Sequence, residues 1–162
     1  MATYLFAWNP ALWEWPELPA DIRRLARRGH VDTEWSAGRT RAIEIGSRAF
    51  LVRVGVPPKG IFGAGYTLTE PASAPHWRPE KAAAGAVTQY LRLRLDSLHP
   101  LPPVTYDHLS LPPFSRFRWG VRASGVRVPS ALADALEDLW EARLGALVKG
   151  GRGGSPRRVR RG

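Results

Sequence analysis

The chain has 162 residues, of which 44% are hydrophobic and 23% charged, so it is long and apolar enough for one ordinary globular domain. It contains no cysteine, which excludes disulfides, thiolate zinc sites and a cysteine nucleophile. No apolar run approaches the ~20 residues of a membrane-spanning helix, and no signal-peptide pattern follows Met1. We therefore expect a cytoplasmic protein.

Positive charge is concentrated at the carboxyl end of the chain. The formal net charge is +10, yet the part up to Val148 holds 18 basic and 14 acidic residues, a net of +4. Nearly all basic residues are arginine, a side chain that binds phosphate and base edges through paired hydrogen bonds. For residues 1–148, nucleic-acid binding and a compositional bias toward arginine explain the charge equally well.

The amino-terminal half predicts a strand, a helix and three further strands. Apolar residues at helical spacing in Leu18–Arg28, followed by Gly29, predict the helix and its end. The predicted strands are apolar segments bounded by turn residues: Thr3–Ala7, Val31–Ser36, Ala49–Val54 and Ile61–Thr69. The glycines of Gly60–Gly65 lie inside a strand and precede no helix. They therefore predict a bend in a sheet and not a phosphate-binding loop.

The carboxyl-terminal half predicts one long strand and a closing helix. Val87–Leu95 alternates apolar and polar side chains, which is typical of a half-buried strand, with Val87 on the buried side. His99–Pro113 reads as a proline-rich loop, with one turn around Tyr106–Leu109. Leucines and Trp140 recur at helical spacing after Pro129 and predict an amphipathic helix with Trp140 in the core.

These elements predict an α+β fold in which a curved sheet or small β-barrel is flanked by helices. We place this domain at residues 1–148. Residues 149–162 are rich in glycine and arginine, and they are predicted to form a flexible basic tail or linker.

Motifs for catalysis are scarce. The sequence has no GxSxG segment for a serine nucleophile, and none of its four histidines pairs with another at metal-ligand spacing. We therefore expect a binding module with no metal and no cofactor, and not an enzyme.

The chain has seven tryptophans, more than the one or two that a core of this size needs. Three lie at predicted strand ends or in loops, in Trp8-Asn9-Pro10, Trp35-Ser36 and His76-Trp77-Arg78-Pro79. Binding residues are commonly placed on such loops by a rigid scaffold. Trp13 and Trp15 are predicted either to shape the rim of a pocket or to cover the mouth of the sheet.

Five segments, taken in order, resemble the EVE domains, which are relatives of the YTH domains in the PUA-like superfamily. They are Trp35-Ser36-x-Gly38, Arg48–Gly55, Pro58–Gly65, Glu70-Pro71 with Pro75-His76-Trp77, and Trp119-Gly120 with Ala123–Val126. The resemblance covers Thr3–Leu147 and implies a PUA-like fold. Modules of this kind are often joined to HNH-type nucleases that cut modified DNA, and YTH relatives hold a methylated RNA base between tryptophans. Gly46-Ser47 departs from the usual Gly-Asp, and we expect this to affect a turn and not the pocket.

The resemblance also implies roles for individual residues. Trp35 and Trp77 correspond to two walls of a base-holding cage, and Ser36 and Asn9 correspond to hydrogen-bonding partners of the base edge. From its position beside Asn9, Trp8 is also expected among the base-binding residues, at the rim of the pocket; the alternative is that it covers the mouth of the barrel. Phosphate contacts are expected from residues near predicted strand ends or in loops: Arg39, Arg53, Lys59, Arg118, Arg122 and Ser124.

A base inside a duplex cannot enter such a cage, so the expected mechanism is base flipping. The predicted function is a reader of modified double-stranded DNA, with 5-methylcytosine the first candidate base, that serves a modification-dependent restriction system. Any nuclease activity would lie in a fused or partner HNH-type domain. Two alternatives stay open: an RNA-binding PUA-like module that recognises a methylated base, and a protein-interaction domain with a structural tryptophan cluster.

Overall fold

The computed structural model describes residues 1–151, which form one curved eight-stranded sheet, four α-helices and a 3-10 helix at Phe114–Arg116. The strands are β1 (Thr3–Trp8), β2 (Val31–Gly38), β3 (Arg48–Arg53), β4 (Gly60–Thr67), β5 (Ala72–Pro75), β6 (Val87–Leu98), β7 (Val104–Thr105) and β8 (Val126–Val128). The helices are α1 (Leu18–Arg28), α2 (Pro79–Ala83), α3 (Tyr106–Leu109) and α4 (Ser130–Gly151).

The sheet has the strand order β2-β6-β4-β3-β1-β8, with β5 paired to β6 and β7 paired to β4. Strands β1 and β3 are parallel, and the other pairs are antiparallel. The sheet curves until β2 approaches β1, where the Trp35 indole N–H donates to the carbonyl of Ala7 at 3.2 Å. The predicted α+β architecture is confirmed, and the curved, unclosed sheet flanked by helices is consistent with a PUA-like arrangement.

Both faces of the central strands are buried, which explains why β1 and β3 are almost continuously apolar. Phe6 and Leu51 point into one core, which the apolar side of α1 covers. Leu5 and Phe50 point into a second core, which contains Leu136 and Trp140 of α4. The core position predicted for Trp140 is confirmed.

Glycine positions fix two features of the fold. Gly29 ends α1 with a φ of 80°, and its N–H donates to the carbonyl of Leu25, as predicted for a helix-ending glycine. Gly65 lies in β4 where the register with β6 shifts, and a Cβ at this position would collide with the carbonyl of Arg94. The glycine-rich segment thus lies within a strand, as predicted, and Gly65 is a site of close backbone approach and register shift.

Several predicted boundaries differ from the structure. Strand β2 continues past Ser36 to Gly38, and β6 continues past Leu95 to Leu98. Val87 is exposed, although the alternation had placed it on the buried side. Helix α4 continues to Gly151, so the first three residues of the predicted tail are helical, and residues 152–162 lie outside the described part of the chain.

Ser47 lies between the turn at residues 45–46 and β3. The Ser47 N–H donates to the Thr67 hydroxyl at 3.0 Å, and the Ser47 hydroxyl donates to the carbonyl of Glu44 at 2.6 Å. These bonds secure the chain just before β3. Among residues 1–151, no helix combines the length and the apolar character needed to cross a bilayer.

Candidate functional site

A cleft of about 1080 Å³ lies where β1 and β2 end and β6 begins. The loop after β5 and the loop before β8 complete its walls. The volume lies just above the roughly 300–1,000 Å³ that is typical of small-molecule sites, so a nucleotide with its phosphates has room. The sheet brings these strand ends together because the end of β1 and the end of β2 meet where the sheet curves.

Most of the predicted site residues line this cleft. All five predicted base-binding residues do so: Trp8, Asn9, Trp35, Ser36 and Trp77. Four of the six predicted phosphate-binding residues do so as well: Arg39, Lys59, Arg122 and Ser124. The other two, Arg53 and Arg118, are not part of its lining.

Trp35 is far less open than a cage wall would be. Only 5% of its surface is exposed, and its ring packs edge-on against Trp13 and Trp15 at centroid distances of 5.3 and 5.2 Å. Its indole N–H is bonded to the carbonyl of Ala7. The structure therefore places Trp35 beneath the surface of the cleft as a support, and the expected pair of open walls at Trp35 and Trp77 is not what it shows.

Two other tryptophans are open to the cleft. Trp13 is 41% exposed, and its ring stacks on Trp15 at 5.8 Å with an interplanar angle of 27°. Trp77 is 40% exposed and stacks on His76 at 5.3 Å and 29°. Each indole thus has a second aromatic ring behind it and surface left for a ligand. The sequence indicated Trp13 only as rim or cover, because its exposure depends on where Trp15 packs.

The loop that carries Trp77 is held in place by neighbouring polar groups. The His76 ring accepts the N–H of Arg78 at its Nδ1, at 3.0 Å. Loss of solvent around the imidazole, together with the charges of Lys81 and Arg78, lowers the pKa of His76. The Tyr90 hydroxyl donates to the carbonyl of Pro75 at 2.8 Å. The Trp77 platform is therefore anchored at the residues that precede and follow it.

Asn9 carries hydrogen-bonding groups into the cleft. Its side-chain oxygen accepts the N–H of Ala11 at 3.0 Å and thereby caps the turn after β1. Its side-chain amide nitrogen donates no hydrogen bond within residues 1–151 and is available to a ligand. Gly55 makes room for this amide, because a Cβ there would lie 2.5–2.6 Å from the Asn9 side-chain atoms.

The Ser36 hydroxyl is engaged by the protein itself. It accepts the N–H of Gly38 at 3.1 Å and pairs with the Thr88 hydroxyl at 3.0 Å, which in turn donates to the carbonyl of Gly38. Ser36 therefore fixes the end of β2. The Ser124 hydroxyl accepts the N–H of Ala7 at 2.9 Å, and its own proton has no acceptor among the described residues. Ser124 thus offers the cleft a donor.

The cleft is electropositive. Its lining has one carboxylate, Glu34, and five cationic side chains: Arg39, Lys59, Arg78, Lys81 and Arg122. Arg78 pairs with Glu80 at 2.8 Å, whereas Arg39, Lys59 and Arg122 have no salt-bridge partner in residues 1–151. An anionic ligand would therefore meet cations that no protein carboxylate neutralises.

The two remaining predicted phosphate ligands are placed differently. The Arg53 guanidinium donates to the carbonyls of Val56 and Pro57, both at 3.2 Å, and lies 5.3 Å from the centroid of Trp8. It positions the loop after β3 and the ring of Trp8. Arg118 is exposed and lies outside the cleft. A sequence shows that these arginines are near strand ends, but not where their side chains turn.

Tyr106 is a cleft residue that the sequence did not indicate. Its side chain lines the wall, with the ammonium of Lys59 6.0 Å from its ring centroid. The hydroxyl is buried without a hydrogen-bond partner in residues 1–151, and burial raises the pKa of the phenol. The same part of the chain contains no group of three side chains suited to hold a metal ion.

No family model matches the chain, and no curated protein matches it. Solved structures do resemble it. A hypothetical protein from Leishmania major aligns with 88% of this chain and 97% of its own, at a TM-score of 0.57 and 12% identity. A Pseudomonas syringae protein aligns with 85% of this chain and 99% of its own, at a TM-score of 0.58 and 16% identity. A Pseudomonas putida protein aligns with the same shares of the two chains, at a TM-score of 0.53 and 18% identity. At these identities the likeness shows a shared fold over nearly the whole of each neighbour.

Proposed function

We propose that this chain is a DNA-binding module that receives a modified base, extruded from a duplex, in the cleft lined by Trp13 and Trp77. The supporting observation is the coincidence of two open indoles and an excess of cations in one cleft. Aromatic rings stack on bases, and cations bind the phosphates on either side. A hydrophobic core requires neither exposed indoles nor an excess of cations.

Stacking on the open indoles offsets the cost of extruding the base. Extruding a base from a duplex costs a few kcal/mol. Stacking on aromatic side chains returns about 1–3 kcal/mol per base, which roughly cancels that cost. The remaining affinity comes from phosphate contacts with Arg39, Lys59 and Arg122, and it therefore decreases as salt is added.

Hydrogen bonds select the base, and the shape of the cleft selects its modification. One buried methyl group contributes about 0.8 kcal/mol, which is less than a tenfold difference in affinity, so sharper selection needs a close fit around position 5 of the base. The Asn9 amide and the Ser124 hydroxyl supply donors for a base carbonyl, and Glu34 supplies an acceptor for an exocyclic amine. Cytosine presents both kinds of group, with or without a 5-methyl group. Within a restriction system, cleavage would then belong to a fused or partner HNH-type nuclease.

The test is a binding comparison with a variant of the exposed platform. Trp77→Ala removes a cleft indole, and Tyr66→Ala removes an exposed aromatic side chain outside the cleft. Fluorescence anisotropy is measured on duplexes that carry 5-methylcytosine, 5-hydroxymethylcytosine, N6-methyladenine or no modification, and on methylated RNA.

Trp77→Ala is expected to weaken binding of the preferred modified duplex about tenfold or more. The residual binding should depend on salt. Tyr66→Ala should retain the preference of the wild type. Equal losses on modified and plain DNA would contradict the proposal. Tighter binding of methylated RNA than of any duplex would replace it with the RNA-binding alternative.

A further inference from the structure

The loop after β1 presents a leucine that the protein does not bury. Leu12 is 54% exposed, belongs to neither hydrophobic core, and lines the cleft beside Trp13. A single exposed leucine is ordinary on a protein surface. Here it lies at the mouth of an electropositive cleft, together with two exposed indoles and the exposed Val87. We call the four exposed apolar side chains of the cleft lining the apolar rim: Leu12, Trp13, Trp77 and Val87.

The backbone beneath Leu12 is tightly held. The carbonyl of Asn9 accepts the N–H groups of both Leu12 and Trp13, at 3.0 and 3.1 Å. The carbonyl of Trp13 accepts the indole N–H of Trp8 at 3.0 Å. Hydrogen bonds therefore fix the backbone of this loop, while the Leu12 side chain stays largely exposed.

The charges around the apolar rim favour nucleic acid over protein as its partner. An apolar protein partner would leave the cations of the cleft without counter-charges, whereas nucleic acid supplies phosphates for the cations and flat apolar base faces for the rim. Asn9, whose free amide faces the cleft, begins the same turn that Leu12 ends. The leucine thus lies one turn away from a group suited to the edge of the captured base.

We propose that Leu12 is a wedge that enters the base stack at the position vacated by the extruded nucleotide and packs against the flanking bases. This inference rests on the proposed function, since a wedge has a role only where a base leaves a stack. Insertion of apolar side chains between base steps is an established way to hold a duplex open. Leu12 should therefore contribute to the binding of duplex DNA and not to the binding of a single strand.

The test compares one modified sequence in two forms, as a duplex and as a single strand. Leu12→Ala should weaken binding of the duplex about tenfold, because most of the burial energy of the leucine is lost, and weaken binding of the single strand less than about twofold. Leu101→Ala is the matched control, since Leu101 is also exposed but lies outside the cleft, and it should change neither affinity.

A second measurement reports the stack itself. A 2-aminopurine placed next to the modified base becomes more fluorescent when it unstacks. Saturating wild-type protein should limit this increase, because Leu12 packs against the exposed face of the 2-aminopurine. Leu12→Ala should therefore give a larger increase in emission than either the wild type or Leu101→Ala.

Equal losses of Leu12→Ala on duplex and single strand, or no loss on either, would overturn the wedge. The proposed function would survive both results if the wild-type protein still preferred the modified duplex over the plain duplex and Trp77→Ala abolished that preference. A wild-type protein with no preference in either form would overturn both.

Discussion

Gly55 offers a way to disturb the base-edge donor without altering any group that would touch the ligand. The residue has a φ of 77°, and a Cβ there would lie 2.5 Å from the Asn9 amide nitrogen. A left-handed conformation costs a non-glycine residue about 1–2 kcal/mol. Gly55→Ala must in addition push the Asn9 side chain aside, because real Cβ atoms do not tolerate such a contact.

Gly29→Ala separates the two effects. Gly29 has nearly the same φ, 80°, but an added Cβ meets nothing within 4 Å, and the residue lies at the end of α1 outside the cleft. Both variants should lose about 1–2 kcal/mol of unfolding free energy from backbone strain, which corresponds to roughly 2–8 °C in Tm for a chain of this size. Gly55→Ala alone should also bind the modified duplex more weakly than the wild type does.

The assay is thermal unfolding of both variants, followed by anisotropy on modified and plain duplexes at a temperature where both are folded. Loss of a buried hydrogen bond to the base is expected to weaken binding of the modified duplex by about 1–3 kcal/mol, or roughly five- to 150-fold. If Gly55→Ala bound the modified duplex as tightly as Gly29→Ala does, Asn9 would not be the donor that reads the base edge.

Two further predictions concern the cationic wall of the cleft. Tyr106→Phe should raise the free energy of unfolding by about 1 kcal/mol or more, because it removes a buried hydroxyl that has no partner in residues 1–151; chemical denaturation measures this, and a loss of stability would mean that the hydroxyl is bonded in solution. Lys59→Gln and Arg122→Gln should each reduce the slope of log affinity against log salt by about 1, whereas Arg118→Gln should leave it unchanged. An equal reduction for all three would place phosphate outside the cleft as well.

The fold was largely predictable because its signals are local. The helical spacing of α1 and the stop at Gly29 lie within a dozen residues, and so does the alternation of Leu91–Leu95 in β6. The ends were less predictable. Val87 continues the apolar alternation in sequence, but it lies where β6 begins at the cleft, and its side chain is exposed.

The site was predictable as a place but not as an arrangement of side chains. Segments at strand ends indicated the cleft, since turns follow buried strands and the sheet gathers their ends. Which tryptophan is open depends on the packing of Trp15, whose indole N–H donates to Asp21 of α1 at 3.1 Å. That contact fixes Trp15 against Trp35 and leaves Trp13 outside. No local pattern distinguishes these three rings.

Intrinsic tryptophan fluorescence tests the central claim most directly. Titration with 5-methyl-2′-deoxycytidine should quench the wild-type emission in a saturable manner, because the open indoles at positions 13 and 77 stack on the added base. Trp77→Ala should show a smaller and weaker response. Emission that no modified nucleoside changes, in protein shown by circular dichroism to be folded, would contradict the claim that the cleft holds a base.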